Sequence, residues 1–479
     1  MSSLSPDQRA ALTAAVLANP VIGLVARAFA ESGHELYLVG GPVRDALMGR
    51  GVHDLDFTTD ARPDAIEAVL RRLTRTTWDI GRAFGTIGAQ VRDGEHDWTV
   101  EVTTFRADSY DPASRKPTVE FGDHLRGDLG RRDFTVNAMA LSVVTGAFED
   151  PFGGLDDLAV GVLRTPSTPE VSFSDDPLRM MRAARFTAQL GFTCEPGVVA
   201  AMADMVDRLE IVSAERVREE FSRLVLTPAP REGLDLLVRT GVAALVVPEL
   251  AALEREVDEH GRHKDIYQHT LTVLEQSIEL EAVRGREPDL VGRLAALFHD
   301  VGKPATKRFE AGGTVTFHHH DMVGAKLTRK RLTELRYPTD VIKAVAKLVE
   351  LHLRFHGYAE TDWTDSAVRR YVRDAGDQLE RLHILSRADC TTRNVRKANR
   401  LRTAYEQLEW RIDALAEQEE LDSLRPDLDG TQIMEVLGVG PGPAVGEAYR
   451  FLLERRLDDG PLGAERAREV LLAWWGDRT

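Results

Sequence analysis

LVGGPVRDALMGRGVHDLDF, residues 38–57, is the stretch on which the fold turns. The apolar run from Leu36 to Val39 predicts a short strand. Gly40 and Gly41 predict a turn, a helix starts by Val43, and a second strand carries Asp54 and Asp56. Glycine lets backbone N–H groups come close to a triphosphate, and the helix start that follows favours anionic groups. Side chains two apart on a strand share a face, so Asp54 and Asp56 point together while Leu55 and Phe57 point into the core. Left unpaired, the two carboxylates repel. Two Mg2+ ions would neutralise them and hold an incoming triphosphate in line with an attacking hydroxyl. Arg44 is placed to pair with a phosphate or to brace a carboxylate.

Outward from this stretch the chain changes character. Short β-rich runs (Leu55 to Thr58, Thr86 to Val91, Trp98 to Thr104) mix with one helix near 64–74, and after Pro177 helical periodicity continues almost to the end. The 479 residues suggest several domains of roughly 100–200 residues each. Hydrophobic content of 43% with 29% charged residues argues against a disordered or fibrous chain. No apolar run reaches membrane-spanning length and the first residues lack the pattern of a secretory signal, so a cytoplasmic protein with no membrane partner is expected. Cys194 and Cys390 match no zinc or redox spacing and are read as reduced thiols. The net charge of −16 excludes a surface generally suited to nucleic acid. One stripe runs against it: Arg381, Arg387, Arg393, Arg396, Lys397, Arg400 and Arg402, with Asp389 the one acid, which suits RNA or a solvated helix face equally.

The Gly-Gly turn with its acidic pair resembles the catalytic motif of the DNA polymerase beta-like nucleotidyltransferase superfamily. Glu101, in TVEVTTFR (99–106), is a candidate third carboxylate, the alternative being an ion pair with Arg106. GDLGRRDFTVNAMA (127–140) and DPFGGLDDL (150–158) extend the resemblance, over about residues 22–225, to class II CCA-adding tRNA nucleotidyltransferases. That resemblance implies triphosphate or sugar contacts for Arg131, Arg132, Asp133 and Asn137 beside Gly40, Gly41 and Arg44. Asp150, Gly153 and Gly154 are read as shaping a turn. It also implies tRNA as partner, CTP and ATP as substrates, and no DNA.

DDPLRMMRAARF (175–186) places Asp176, Arg179, Arg182 and Arg185 three apart, which is expected to set them on one stripe of a helix. Carboxylate and guanidinium present acceptors and donors in fixed planes and so imitate the pairing edge of a base. The pattern resembles the family's Glu-Asp-x-x-Arg motif, with Asp175 in place of the usual Glu. The resemblance gives Asp176 and Arg179 the selection of CTP and then ATP, and Arg182 and Arg185 the phosphates. ERVREEF (215–221) resembles another family helix and is read as structural. The polar segment RADSYDPASRKPTVEF (106–121), a loop that relatives adding only two C residues typically lack, favours addition of the terminal A, with Arg115 or Lys116 as actors, while its composition fits a plain surface loop equally.

Nine of the fourteen histidines fall between His260 and His356. His269, His299 with Asp300, His320, His352 and Asp389, in that order, resemble the HD metal-dependent phosphohydrolase domain. Imidazole and carboxylate ligands suit one or two divalent ions, a transition metal or Mg2+, that activate water. Lys303 is placed to bind phosphate, while His318, His319 and His356 remain open. The fold expected is an α/β nucleotidyltransferase head (1–160), an all-α neck with the template helix (161–255), an HD-type helical domain (256–390) and a helical tail that contacts tRNA (391–479). Rival readings are a bacterial poly(A) polymerase, an HD phosphohydrolase whose head only binds RNA, and an RNA chaperone.

Overall fold

The computed structural model describes residues 4–52, 55–79, 81–94, 96–106, 121–122, 124–254, 266–310, 315–355, 358, 363–390, 395–419 and 425–476. Asp54, His356 and the segment 107–120 with Arg115 and Lys116 lie outside the described residues. The chain divides into two compact units, Met1–Pro248 and Glu249–Thr479.

The first unit is built on a mixed seven-stranded sheet. Its strands are β1 (Leu36–Val39), β2 (Leu55–Thr59), β3 (Thr77–Trp78), β4 (Thr86–Asp93), β5 (His96–Thr104), β6 (Ala140–Ser142) and β7 (Phe148–Glu149), in the spatial order β3-β4-β5-β2-β1-β6-β7. Within this sheet, among the described residues, only β2 and β5 run parallel, in the register Asp56↔Glu101. Alternation decides the faces: Leu55 and Phe57 are buried while Asp56 between them is exposed, as the sequence predicts. The helix Pro20–Glu31, capped by Asn19, buries Val21, Ile22, Val25 and Phe29 in the same core as Leu36, Leu38, Leu55 and Phe57. On the opposite face Val39 packs with Leu129, Ala138 and Ala140, so the strand leading to Gly40 is clamped from both sides.

Helices then take over, with one correction to the expected order. The stretch 175–186 is not one helix. Pro169–Asp175 ends at Asp176, which is extended (φ −143°, ψ 99°), and the next helix starts at Arg179. Pro177 is the cause, since its ring drives the preceding residue out of the helical region. Asp176 Oδ1 accepts from the Leu178 amide at 3.2 Å and fixes the break. Arg179–Leu190 buries Met180 and Met181 and packs against Ala214–Val225 and Arg231–Arg239. A Cβ at Gly233 would stand 2.4 Å from the Ala184 carbonyl, so glycine sets that close approach.

The second unit is helical apart from a two-stranded ribbon, Arg308–Phe309 with Val315–Thr316. Its last helices, Gly430–Leu437, Pro443–Asp459 and Ala464–Gly476, close over Ile433, Ala448, Leu452 and Leu471. Among the described residues no single helix is long and apolar enough to cross a membrane. Cys194 and Cys390 are free thiols, as expected.

Candidate active site and metal centre

A cavity of about 670 Å³ opens above β1 and β2, and Gly40, Gly41, Arg44, Asp56, Arg132, Asp133, Asn137, Arg182 and Arg185 line it. Gly40 has φ 75°, and a Cβ there would lie 3.0 Å from Arg132 Nη1; the turn needs glycine on both counts. A chain of polar contacts joins the wall. Arg44 Nη1 donates to Asn137 Oδ1 at 2.6 Å, and Asn137 Nδ2 donates to Asp133 Oδ1 at 3.0 Å. Asp133 Oδ2 accepts from Arg182 Nε at 2.8 Å and from Arg182 Nη2. Beyond it Glu220 accepts from Arg185 Nε at 2.6 Å and pairs with Arg182 at 3.5 Å. Burial alone would raise the Asp133 pKa, but the Arg182 charge and the Asn137 hydrogen bond outweigh it and hold the carboxyl well below its ordinary value. Phe186 sits among three guanidiniums, those of Arg185 at 4.0 Å, Arg44 at 5.3 Å and Arg182 at 5.5 Å from its centroid.

Three expected nucleotide contacts have protein partners and are not among the residues that line this cavity. Arg131 donates to the buried Asp128 at 2.6 Å. Arg179 is buried, with Nη1 donating to Ser172 Oγ at 2.8 Å and Nη2 to the Arg131 carbonyl. Asp176 pairs with Arg216 at 2.9 Å. Asp176 is therefore not on the Arg179–Arg182–Arg185 stripe. The turn reading of DPFGG holds: Asp150 accepts from the Gly154 and Leu155 amides at 2.8 and 2.9 Å, and Gly153 has φ 76°.

Sequence reasoning missed Glu220, Gln189 and Arg223. Glu220 lies within the helix read as structural, yet it is the buried anion that braces both arginines of the wall. Gln189 accepts from Arg185 at 2.8 Å. The spacing Arg185–Gln189 and Glu220–Arg223 on two strongly amphipathic helices was the available signal.

In the second unit all six histidine and aspartate candidates meet. Two triads have ligand atoms within 4.8 Å of one another: His269, His299 and Asp389, and Asp300, His320 and His352. Five of the six stand at helix ends, where the chain can turn them inward: His299 and His352 just past Leu290–Phe298 and Thr339–Leu351, His320 and Asp389 as terminal residues, and Asp300 beyond His299. His299, His320 and His352 each donate Nδ1–H to the carbonyl three residues back, Ala296 and Phe317 at 2.8 Å and Val349 at 2.6 Å. This turns Nε2 into the cluster, as in outer-shell support of metal-binding imidazoles. Gly302 makes the assembly possible, because a Cβ there would meet the His320 carbonyl at 2.0 Å.

Electrostatics fit a cation. His299 Nε2 and His320 Nε2 are buried without a well-directed hydrogen bond, each facing an Asp300 oxygen at 3.2 and 3.4 Å, and such groups call for an ion or water. Burial disfavours charge on His299, but Asp300 and Asp389 overcome it and push its pKa up to about 9. Burial, with His299 beside it, pushes His352 down to about 3. Lys303 Nζ lies 2.9 Å from Asp300 Oδ2. His318 and His319 are exposed and outside both triads. The RNA stripe is divided among the described residues: Arg381 pairs with Asp289 and Arg387 with Glu409, while Arg400 and Arg402 are exposed.

A triphosphate is the ligand suited to a cavity with an acidic strand edge on one side and guanidiniums on the other. The mixed sheet beneath it makes the first unit a nucleotidyltransferase head. Residues 36–164 match the family described as "Poly A polymerase head domain", 191–253 "Probable RNA and SrmB- binding site of polymerase A", and 266–394 "HD domain". The A-adding tRNA nucleotidyltransferase of Deinococcus radiodurans is 35% identical over 92% of this chain and 96% of its own length. The CC-adding tRNA nucleotidyltransferase of Thermus thermophilus is 32% identical over 93% and 94%. The CCA-adding enzyme of Bacillus stearothermophilus, solved in complex with CTP, superposes with a TM-score of 0.67 at 25% identity, covering 96% of this chain and 97% of that one. The chain belongs to the tRNA nucleotidyltransferase family.

Proposed function

We propose that this enzyme extends the 3′ end of tRNA from CTP and ATP, completing the CCA sequence without a nucleic-acid template. The observation that carries it is the convergence in one cavity of the Asp56 strand, the Arg132–Asp133–Asn137 segment and the arginine helix. Asp54 and Asp56 would hold Mg2+ ions, with Glu101 in register beside Asp56 on β5. Such ions neutralise phosphate charge and favour in-line displacement of pyrophosphate. The chain's own part is positioning: Gly40 and Gly41 let the backbone approach the phosphates, and Arg132, Arg182 and Arg185 supply cations. Base reading falls to Asp176, ahead of Pro177, and Arg179, first residue of the helix that follows, and requires each to release a protein partner it holds here. Arg131, which pairs with Asp128 here, would reach the triphosphate or sugar from beside Arg132. The domain limits that fit this reading are a head over 1–160, a neck over 161–255, an HD domain over 256–390 and a tail over 391–479 that meets tRNA.

Two relatives matched over nearly the whole chain are an A-adding and a CC-adding enzyme, which favours a second reading as a specialist for part of the sequence. Three tRNA substrates, ending before the trinucleotide, after one C and after CC, offered CTP and ATP separately, decide between them. Growth of the first substrate to full CCA supports the first reading; arrest at CC, or use of the CC-ended tRNA with ATP alone, supports a specialist. Loss of CTP and ATP incorporation in Asp56→Asn with tRNA binding retained supports the catalytic assignment, and retained incorporation removes it.

For the second unit we propose a phosphohydrolase centre acting on terminal or 2′,3′-cyclic phosphates. The two triads would hold a divalent ion each, and bound metal would supply an activated water. Lys303 would meet the phosphate.

A further inference from the structure

A cavity of about 310 Å³ lies within the second unit among the helices Ile266–Val283, Leu379–Asp389 and Val395–Glu419. Neither the head cavity nor the metal centre shares its lining. Leu280, Val283 and Leu401 give it apolar walls, and Tyr405 adds an aromatic one that is firmly held. The Tyr405 hydroxyl donates to the Ser386 carbonyl at 2.5 Å, and its ring stacks on Phe355 at 3.4 Å between centroids. Two cations, Arg387 and Arg402, share the wall with one anion, Glu279. Arg387 donates from Nη2 to Glu409 at 2.9 Å and lies 5.6 Å from the Tyr405 centroid. Its Nε–H is buried and has no acceptor in the protein, a costly state for a charged donor unless a ligand or water meets it.

Small-molecule sites combine apolar walls with a few placed polar groups, from about 300 Å³ upward, so this one admits a compact ligand. Inorganic phosphate would meet the arginines and leave the apolar walls empty. A purely apolar molecule would cover the guanidiniums of Arg387 and Arg402 on this wall and give them no acceptor. We infer that the cavity binds a nucleoside monophosphate, with its base against Tyr405 and the leucines and its phosphate on Arg387 and Arg402. Cys390 is part of the wall, its sulfur 3.5 Å from the Tyr405 hydroxyl. Asp389, its chain neighbour, belongs to a metal triad, so the ligand bears on a helix end that the metal centre also uses.

The full chain carries only two cysteines, and the rate at which a thiol reagent modifies Cys390, followed by peptide mass spectrometry, reports occupancy. Cys194, in the other unit, is the internal reference. CMP or AMP at about ten times its Kd should slow Cys390 modification about tenfold, leave Cys194 unchanged, and do so where inorganic phosphate does not. Val283→Trp, which obstructs the cavity from an exposed position, should remove the protection without changing Tm or nucleotide incorporation, and Arg402→Glu should remove it without changing Tm. An unchanged Cys390 rate at millimolar nucleotide, equal protection by inorganic phosphate, or protection surviving both substitutions overturns the inference.

Discussion

Asp176 and Arg216 form an ion pair, Oδ2 to Nη2 at 2.9 Å, across the gap between the template helix and the helix Ala214–Val225. Arg216 is half exposed, so the pair adds little to stability, typically under about 1 kcal/mol. What it does is hold the plane of the carboxylate proposed to read the base. Arg216→Ala should leave Tm nearly unchanged and reduce the preference for CTP over UTP in single-nucleotide addition to a tRNA lacking CCA. Arg179→Ala should do both kinds of damage. It removes bonds to Ser172 and the Arg131 carbonyl, a loss on the order of 2–3 kcal/mol, together with base choice. Equal slowing of every nucleotide by both variants would move the template elsewhere.

Glu220 is the keystone of the arginine wall. Removing it strands Arg185 and half-strands Arg182 in a buried setting, so Glu220→Ala should cost about 3–5 kcal/mol in urea unfolding. Glu220→Gln, which still accepts a hydrogen bond, should lose less stability yet raise KM for both nucleotides. A Glu220→Ala protein as stable as the parent would show that the two arginines do not need their anion.

Asp133 makes the head sensitive to acid. Its folded-state pKa is depressed, so its contribution is complete above the unfolded value, near 4, and is lost as pH falls through that value toward the folded one. Asp133→Asn should be less stable than the parent at pH 5–7, and the gap between the two urea midpoints should narrow below about pH 4. A gap that is constant down to pH 3.5 contradicts the depressed pKa.

Metal content separates the two units. His299→Ala should carry less divalent metal than the parent chain by elemental analysis and lose phosphate release, while nucleotide addition to tRNA persists. His352→Ala, in the other triad, should remove one of two metal equivalents by elemental analysis. Joint loss of both activities in a folded variant would mean that the units are coupled.

Much of this was legible in the chain itself. Alternation of Leu55, Asp56 and Phe57 gave the strand and its faces, because period-two burial is a local property. The six metal-centre residues were legible as an ordered set, though 120 residues separate His269 from Asp389, because no other role readily accounts for that combination of types. What pattern could not give was partnership. Arg131, Arg179 and Asp176 read as ligand contacts, and the protein partners they also hold, Asp128, Ser172 and Arg216, follow from packing rather than spacing. Glu220 was missed for the same reason, its helix spacing showing a shared face but not the arginines it braces, and the helix break at Asp176 was overlooked although Pro177 announces it.

That break has a bearing on how one site could accept two bases in turn. A carboxylate and a guanidinium mounted on a single helix would move as one rigid stamp, matched to one pattern of donors and acceptors. Here the acid stands on an extended residue ahead of Pro177, and the arginine starts the next helix. The two pieces are pinned together, because the Arg179 bond to Ser172 runs from the second helix back to the first. A change of acceptor between cytosine and adenine would therefore fall to the Asp176 side chain leaving Arg216, while the backbone on either side of Pro177 stays where it is.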